Sequence, residues 1–176
     1  LFTNNACASG LFALETAAQQ IRSGKCNAVI VAGGDYPATL FKHRWFKERD
    51  LYAQDGKIKP FSSSGKGLVF GDGASALVLE DFQYAKQRKA NIYAEYRGGG
   101  FSLEGWKVTL PKIGGQSYQN AISNALKAAR LKPCDIDIIN PHGVGIKMTD
   151  YYETRAITDI FGKDINQQPF VSAFKP

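Results

Sequence analysis

The chain has 176 residues, of which 44% are hydrophobic and 22% are charged, a composition typical of a globular domain and not of a disordered or fibrous protein. No apolar run has the length of a membrane span, and the first residues lack the pattern of a signal peptide, so we expect a cytoplasmic protein with no membrane span. Lysine and arginine outnumber the acids 22 to 16. The basic residues lie in scattered clusters without nucleic-acid-binding motifs. Solvent-exposed surface is therefore the first interpretation of these clusters, and binding of an acidic protein partner is the second.

The first predicted element is a helix with a cysteine at its N-terminus. Apolar residues recur at three- and four-residue steps over residues 8–23, which predicts an amphipathic helix. Because free N–H groups and the helix dipole favour an anion there, Cys7 has the position of a thiolate nucleophile, with a small buried cysteine as the alternative. Cys7, Cys26 and Cys134 form an odd set without CxxC spacing, which argues against disulfides and zinc. We assign Cys26 and Cys134 to structure.

Strands and helices alternate along the rest of the chain. The predicted strands are short apolar runs at residues 27–32, 74–79, 92–97, 136–139 and 170–173. The predicted helices cover residues 82–89, 117–130 and 151–161. We expect an irregular stretch over residues 35–67, with a turn or loop at SSSGKG, residues 62–67. This alternation predicts an α/β fold with a mainly parallel sheet whose strands are buried on both faces.

Three reactive residues lie where predicted strands end. Cys7 follows the first residues of the chain, His142 follows DIDIIN, and Lys175 follows FVSA. In open α/β sheets ligands bind beyond the carboxyl ends of the strands. The sequence therefore predicts a shared site, and a thiol with a histidine elsewhere in the chain suits acyl transfer.

Five motifs occur in a fixed order: NACASG before a helix, VIVAGGD, KPFSSSGKGLVFGDGASALVLE, INPHGVGIKMTD with ETRAI downstream, and VSAFKP. Together they resemble the β-ketoacyl-acyl carrier protein synthases of the thiolase superfamily over essentially the whole chain. The resemblance implies a thiolase-like layered αβαβα fold. Residues 1–176 would be an internal part of a protein about twice this size, lacking the N-terminal portion and the C-terminal end with the family's second histidine.

The resemblance also implies residue roles. Cys7 would be the acyl-accepting nucleophile, His142 the first of two active-site histidines, Lys175 the lysine after the last strand, and Glu153 a buried acid beside the site. Cys7 would take an acyl group from a carrier-protein thioester, and a malonyl-type extender would then lose CO2 and attack the acyl-enzyme. No metal or cofactor is implied, because the substrates travel on the phosphopantetheine of an acyl carrier protein. A homodimer or a heterodimer with a ketosynthase-like subunit is the expected assembly.

Several positions depart from the family pattern. Val144 and Ile146 replace the two threonines of HGTGT, whose hydroxyls hydrogen-bond the phosphopantetheine arm in relatives. With Phe70, we assign these two residues to substrate binding. Further departures are Gly65, Lys66, Leu68, Phe174 and Pro176. They indicate a specialised ketosynthase of fatty acid or polyketide-type biosynthesis.

Two alternatives stay open from the sequence. A non-catalytic partner subunit like the chain-length factors is disfavoured by Cys7, because those subunits usually lack the cysteine, but it is kept open by the altered HGVGI. A thiolase would share the nucleophile, although the HG element and the acidic helix after it fit a decarboxylating synthase better. His43, in FKHRW, matches no catalytic position.

Overall fold

The structure is a computed structural model that describes residues 1–36, 40–106 and 112–175. In chain order its elements are α1 (Ser9–Arg22), β1 (Ala28–Asp35), α2 (Leu40–Lys47), β2 (Gly73–Glu80), α3 (Phe82–Gln87), α4 (Gln116–Ala129), β3 (Ile138–Ile139), α5 (Lys147–Phe161) and β4 (Phe170–Val171). They form two compact units, which we describe separately: the first combines residues 1–36 and 71–99, and the second combines the described parts of 37–70 and 100–176. No helix within these ranges is both long and apolar enough to cross a membrane.

In the first unit, helix α1 lies against a two-stranded sheet. A single 3₁₀ turn, Ala6–Ala8, leads into α1, whose Ala17 and Ala18 are buried. Strands β1 and β2 pair antiparallel along their whole length, from Ala28 opposite Glu80 to Asp35 opposite Gly73.

Strand β2 leads directly into α3, and side-chain hydrogen bonds stabilise this connection. The Asp81 carboxylate caps α3 by accepting the backbone N–H groups of Gln83 and Tyr84, both at 3.0 Å. The Arg88 guanidinium, just after the helix, donates to both carboxylate oxygens of Glu80 at 2.6 Å. Helix α3 is therefore anchored at both ends.

The predicted strand at residues 92–97 is wrong, because these described residues form no strand. Side chains of α1 bind this segment instead. The Arg22 guanidinium donates to the carbonyl oxygens of Tyr96 at 3.5 Å and Arg97 at 3.4 Å, and the Tyr96 hydroxyl donates to Glu15 at 2.7 Å. Burial, with the Glu15 carboxylate beside it, raises the pKa of Tyr96. These side-chain contacts replace the ladder of hydrogen bonds that a neighbouring strand would provide.

In the second unit, α4 and α5 pack together beside a short parallel strand pair. Strand β3 pairs with β4 so that Ile138 is opposite Phe170 and Ile139 opposite Val171. The Gln119 side chain on α4 donates to the Asp159 carboxylate on α5 at 2.7 Å. The parallel pairing places the residues that follow β3 next to those that follow β4.

The prediction of a mainly parallel sheet with strands buried on both faces is wrong for β1 and β2. They are antiparallel, and Ile30, Leu77 and Val78 are 71%, 57% and 64% exposed. A continuous apolar run indicates that both faces of a strand can be buried. It does not indicate which strand pairs with it, or whether the pairing is parallel or antiparallel. Among the described strands, β3 and β4 pair in parallel, as predicted.

The predicted helices are confirmed, with shifted ends, whereas α2 lies in the stretch predicted to be irregular. Helix α2 has few local helix signals, but it packs Phe46 against Phe70, with ring centroids 4.9 Å apart. Helix α5 begins at Lys147, four residues before the predicted start at Tyr151. It extends that far because the Asp150 N–H already donates to the Ile146 carbonyl at 3.0 Å.

Candidate active site

The loop between β3 and α5, residues 140–146, contains the HGVG sequence. Glu153 on α5 is 7% exposed and binds the first half of this loop. Its Oε1 accepts the backbone N–H of His142 at 2.6 Å, and its Oε2 accepts that of Gly143 at 2.9 Å. The acid that the sequence places beside the site is therefore buried and holds the backbone of the histidine itself.

Asp150 binds the second half of the same loop. It is 4% exposed and lies three residues before Glu153, on the same face of α5. Its Oδ1 accepts the N–H of Val144 and its Oδ2 that of Gly145, both at 3.1 Å. Four consecutive loop N–H groups therefore meet the four oxygens of two carboxylates, which compensates much of the cost of burying the charges.

A second loop, residues 59–67 with the sequence KPFSSSGKG, packs on the first. The Phe61 N–H donates to Oδ2 of Asp150 at 2.9 Å, and the Gly67 N–H donates to the Gly145 carbonyl at 3.1 Å. Gly145 has a φ of +77°, and a Cβ there would lie 2.6 Å from the Gly67 oxygen. Because that oxygen belongs to the backbone, only glycine fits at position 145. The predicted turn at residues 62–67 is confirmed and forms one wall of the site.

Lys175 and His142 meet because each follows one of the paired strands β3 and β4. The Lys175 Nζ contacts the His142 carbonyl oxygen and lies 3.5 Å from Nδ1 of the ring. The Phe174 N–H donates to Oδ1 of Asn140 at 3.4 Å, which also ties the two strand ends together. Since an ammonium has only donors, Nδ1 faces it as an acceptor, and the ring proton belongs on Nε2.

The environment of His142 favours the neutral imidazole. Burial lowers its pKa first, and the nearby Lys175 lowers it further, whereas Glu153 and Asp150 oppose the shift. At neutral pH the ring is therefore uncharged, with Nδ1 toward Lys175 and Nε2–H available as a donor. Such a group can stabilise negative charge that develops on a substrate oxygen.

Cys7 belongs to the first unit, so its meeting with His142 stays a prediction. It is exposed and lies in the 3₁₀ turn before α1, not in the first turn of α1 itself. Ala6, before it, has a φ of +50°, and Ser9 closes the turn: its Oγ accepts the Asn5 N–H and donates to the Ala6 carbonyl, both at 2.7 Å. A non-glycine residue in the left-handed region is uncommon, and such strain clusters at functional sites.

The predicted substrate-binding residues have different environments. Val144 and Ile146 are half-buried in the loop held by Asp150. Phe70 lies in an aromatic cluster with Phe46, and with His43 at 5.6 Å between ring centroids. His43 thus has a packing role, and contact of Phe70, Val144 or Ile146 with a substrate stays a prediction.

Sequence reasoning missed Asp150 and Phe61. A signal for Asp150 exists, because an acid in the first turn of a helix after a glycine loop is a typical N-terminal pattern. No local signal identifies Phe61, whose partner Asp150 is 89 residues away. Among the described residues, no group of three or more His, Cys, Asp or Glu side chains could hold a metal ion.

Comparisons with known proteins show which family the sequence matches. The family model of the β-ketoacyl synthase N-terminal domain matches residues 1–85, and that of the C-terminal domain matches residues 93–176. Nodulation protein E of Rhizobium leguminosarum bv. trifolii is 36% identical over 158 residues, which are 90% of this chain and 39% of that protein. The chain thus spans about two-fifths of the length of this curated relative.

Two solved structures are similar over nearly the whole chain. A β-ketoacyl synthase from Burkholderia phymatum STM815 has a TM-score of 0.89 at 30% identity, and the match covers 98% of this chain and 42% of that one. The second, AntDE:AntF, is described as a type II PKS acyl-carrier protein in complex with its ketosynthase. It has a TM-score of 0.88 at 28% identity, covering 96% of this chain and 43% of that one.

Replacing the Asp150 carboxylate by an amide should destabilise the protein. In Asp150→Asn an NH2 group would face a backbone N–H, so at least one charge-assisted hydrogen bond is lost in a buried site. We expect the free energy of unfolding, measured by urea denaturation, to fall by about 2 kcal/mol or more. The exposed Asp137→Asn is the matched control and should change it by less than about 0.5 kcal/mol. Equal effects of the two variants would contradict the role assigned to Asp150.

The imidazole of His142 should titrate below the ordinary histidine pKa of 6.5. NMR of the ring signals, assigned by their loss in His142→Gln, measures the midpoint. Lys175→Gln should raise it, because a neighbouring positive charge is removed, whereas the exposed Lys163→Gln should not. Since the unfolded chain binds the proton more readily, this group makes stability decrease as the pH falls below about 6.5. A midpoint at or above the ordinary value would refute the neutral assignment.

Proposed function

The chain belongs to the β-ketoacyl synthase family, and from that premise we propose that it contains the nucleophile and the enolate-stabilising histidine of a decarboxylative condensation between two thioesters. The observation that carries the proposal is the arrangement of His142. Its backbone is held by a buried carboxylate, and its Nδ1 faces Lys175 at 3.5 Å. A neutral, oriented Nε2–H donor is what an enolate oxygen requires.

In the first half-reaction the Cys7 thiolate attacks the carbonyl carbon of an acyl thioester. The tetrahedral intermediate collapses, the C–S bond to the carrier breaks while the new C–S bond to Cys7 remains, and the carrier thiolate takes up a proton from water. The turn before α1 supports this role, because it places Cys7 at the positive end of the helix, where a backbone N–H can donate to a developing oxyanion. The N–H of Cys7 itself would supply part of the oxyanion hole.

In the second half-reaction a malonyl-type thioester loses CO2. The electron pair of the broken C–C bond forms an enolate whose oxygen accepts a hydrogen bond from His142 Nε2–H. The enolate carbon then attacks the acyl carbonyl on Cys7, a C–C bond forms, and the thiolate of Cys7 leaves. The product is a β-ketoacyl thioester longer by two carbons. Lys175 and Glu153 act through His142, one at the ring and the other at the backbone.

An acyl carrier protein is the proposed partner. The similarity to a ketosynthase solved with its acyl-carrier protein supports this, as does the formal charge of +6, which favours an acidic partner. A homodimer or a pair with a second ketosynthase-like subunit is the proposed assembly. The similarity to a polyketide synthase system protein supports the proposal that the substrate is a fatty acid or polyketide-type chain.

One experiment can separate the roles of Cys7 and His142. Intact-protein mass spectrometry with an acyl-carrier thioester should show acylation of the wild type and of His142→Ala, but not of Cys7→Ala. Product formation should fall at least about a hundredfold in His142→Ala, because a preorganised donor to the enolate is lost.

Cys26→Ala and Cys134→Ala are the matched thiol controls and should still be acylated. Acylation at Cys26 or Cys134 would overturn the choice of nucleophile. Equal loss of acylation and product in His142→Ala would show that His142 activates the thiol instead.

Restoring two threonines in the HGVGI loop tests how the carrier arm binds. If the arm follows this loop, Val144→Thr with Ile146→Thr adds two hydrogen bonds worth about 0.5–1.5 kcal/mol each. The KM for the carrier thioester should then fall by roughly one to two orders of magnitude with little change in kcat, because the contact is remote from the reacting carbon. Ile165→Thr, at an 81% exposed position, is the control. No change, or lost activity, would show that the arm takes another path.

A further inference from the structure

Phe61 has an unusual backbone conformation. Its φ is +58°, in the left-handed region, which a bulky side chain rarely adopts. Its N–H donates to Oδ2 of Asp150 at 2.9 Å, and the same oxygen accepts the Gly145 N–H. Strained residues of this kind persist only where the surrounding structure holds them, and they cluster at functional sites. Here the group that holds Phe61 is also the group that holds the HGVG loop.

The ring of Phe61 lies on Gly143, the residue that follows His142. A Cβ added to Gly143 would lie 2.9 Å from Cε2 of Phe61 and 3.2 Å from the Cβ atoms of Pro60 and Ala173. These three residues therefore occupy the space where a side chain of residue 143 would point. Gly143 is buried, whereas Phe61 is 38% exposed, so the ring covers the loop on one side and is open on the other.

The backbone of Gly143 requires packing contacts to restrain it. A glycine is the most permissive backbone position, and Gly143 has a φ of +40° directly after His142. The Glu153 carboxylate restrains its N–H from one side. Only packing can restrain the other side, because glycine has no side chain of its own. The contact with the Phe61 ring supplies that packing.

We propose that Phe61 is a positioning residue for His142: its ring, held in place by the Asp150 carboxylate, limits the motion of Gly143 and so keeps the imidazole aimed at the reacting thioester. The kinetic part of this inference rests on the proposed function, in which His142 supplies the donor. The structural part rests on the contacts of Phe61 with Gly143 and Asp150. Phe61 acts through Gly143 and the loop, so it is not itself a catalytic residue.

Three substitutions separate the ring from the backbone. Phe61→Ala removes the ring and keeps the strained φ, Phe61→Gly removes the ring and relieves the strain, and Phe61→Tyr keeps the ring. Both ring-less variants should lower kcat for condensation by roughly tenfold or more, because small displacements of a catalytic group have large effects on rate. The KM for the carrier thioester and the acylation of Cys7 should stay unchanged. Phe61→Tyr should retain kcat within about twofold of the wild type.

A second measurement does not need activity. In Phe61→Ala and Phe61→Gly, the amide hydrogens of Gly143 and His142 should exchange faster, and the His142 ring signal should move in the NMR spectrum. Phe61→Gly should have a higher Tm than Phe61→Ala, because glycine relieves the positive φ. Phe41→Ala, at a 79% exposed phenylalanine, is the matched control for loss of a ring.

Unchanged kcat and unchanged His142 signals in the ring-less variants would overturn the proposal, as would a loss in Phe61→Tyr as large as in Phe61→Ala. If the wild type shows no condensation, the proposed function fails, and the exchange and NMR measurements still decide whether the Phe61 ring positions the loop.

Discussion

The site depends on a mutual requirement between buried carboxylates and backbone N–H groups. Asp150 and Glu153 are nearly inaccessible, and an ionised carboxylate in that position is very unfavourable unless hydrogen-bonded. The glycine-rich loop has the complementary need, because four of its N–H groups have no partner within the loop. Two side chains on one face of α5 supply these partners, so the backbone of the loop is restrained in spite of its two glycines.

The same two carboxylates also act on the charge state of His142, although they do not decide it. Their negative charges favour the imidazolium, whereas burial and Lys175 favour the neutral ring, and the second pair of effects prevails. A charged ring would bind an enolate strongly but would also attract other anions, whereas a neutral ring donates one directed hydrogen bond. Lys175 thus favours both the neutral state of the His142 ring and the tautomer with its proton on Nε2. In the proposed function, the Nε2–H edge of the imidazole donates to the substrate.

The two units hold their candidate site residues by different kinds of contact. In the second unit, loop 59–67, strand β4 and helix α5 all contribute to the His142 site, so the site is held by contacts between residues distant in sequence. The turn around Cys7 is held by local bonds through Ser9. A local turn can be recognised from a short motif, whereas a site assembled from several elements cannot.

The sequence by itself determined the family and the helices of regular periodicity, because these depend on motif order and on spacing along one element. It also predicted that His142, Lys175 and Glu153 belong to one site, and the structure brings these three residues into contact. Tertiary structure alone decided the antiparallel pairing of β1 with β2, the helix at Leu40–Lys47, and the hydrogen bonds that join Asp150 to Phe61 and to the HGVG loop. The physical reason is that a strand's partner and a carboxylate's donors are chosen by backbone groups from remote segments. Every residue carries backbone polar groups, so the pattern of side chains along the sequence does not identify which of these groups will pair.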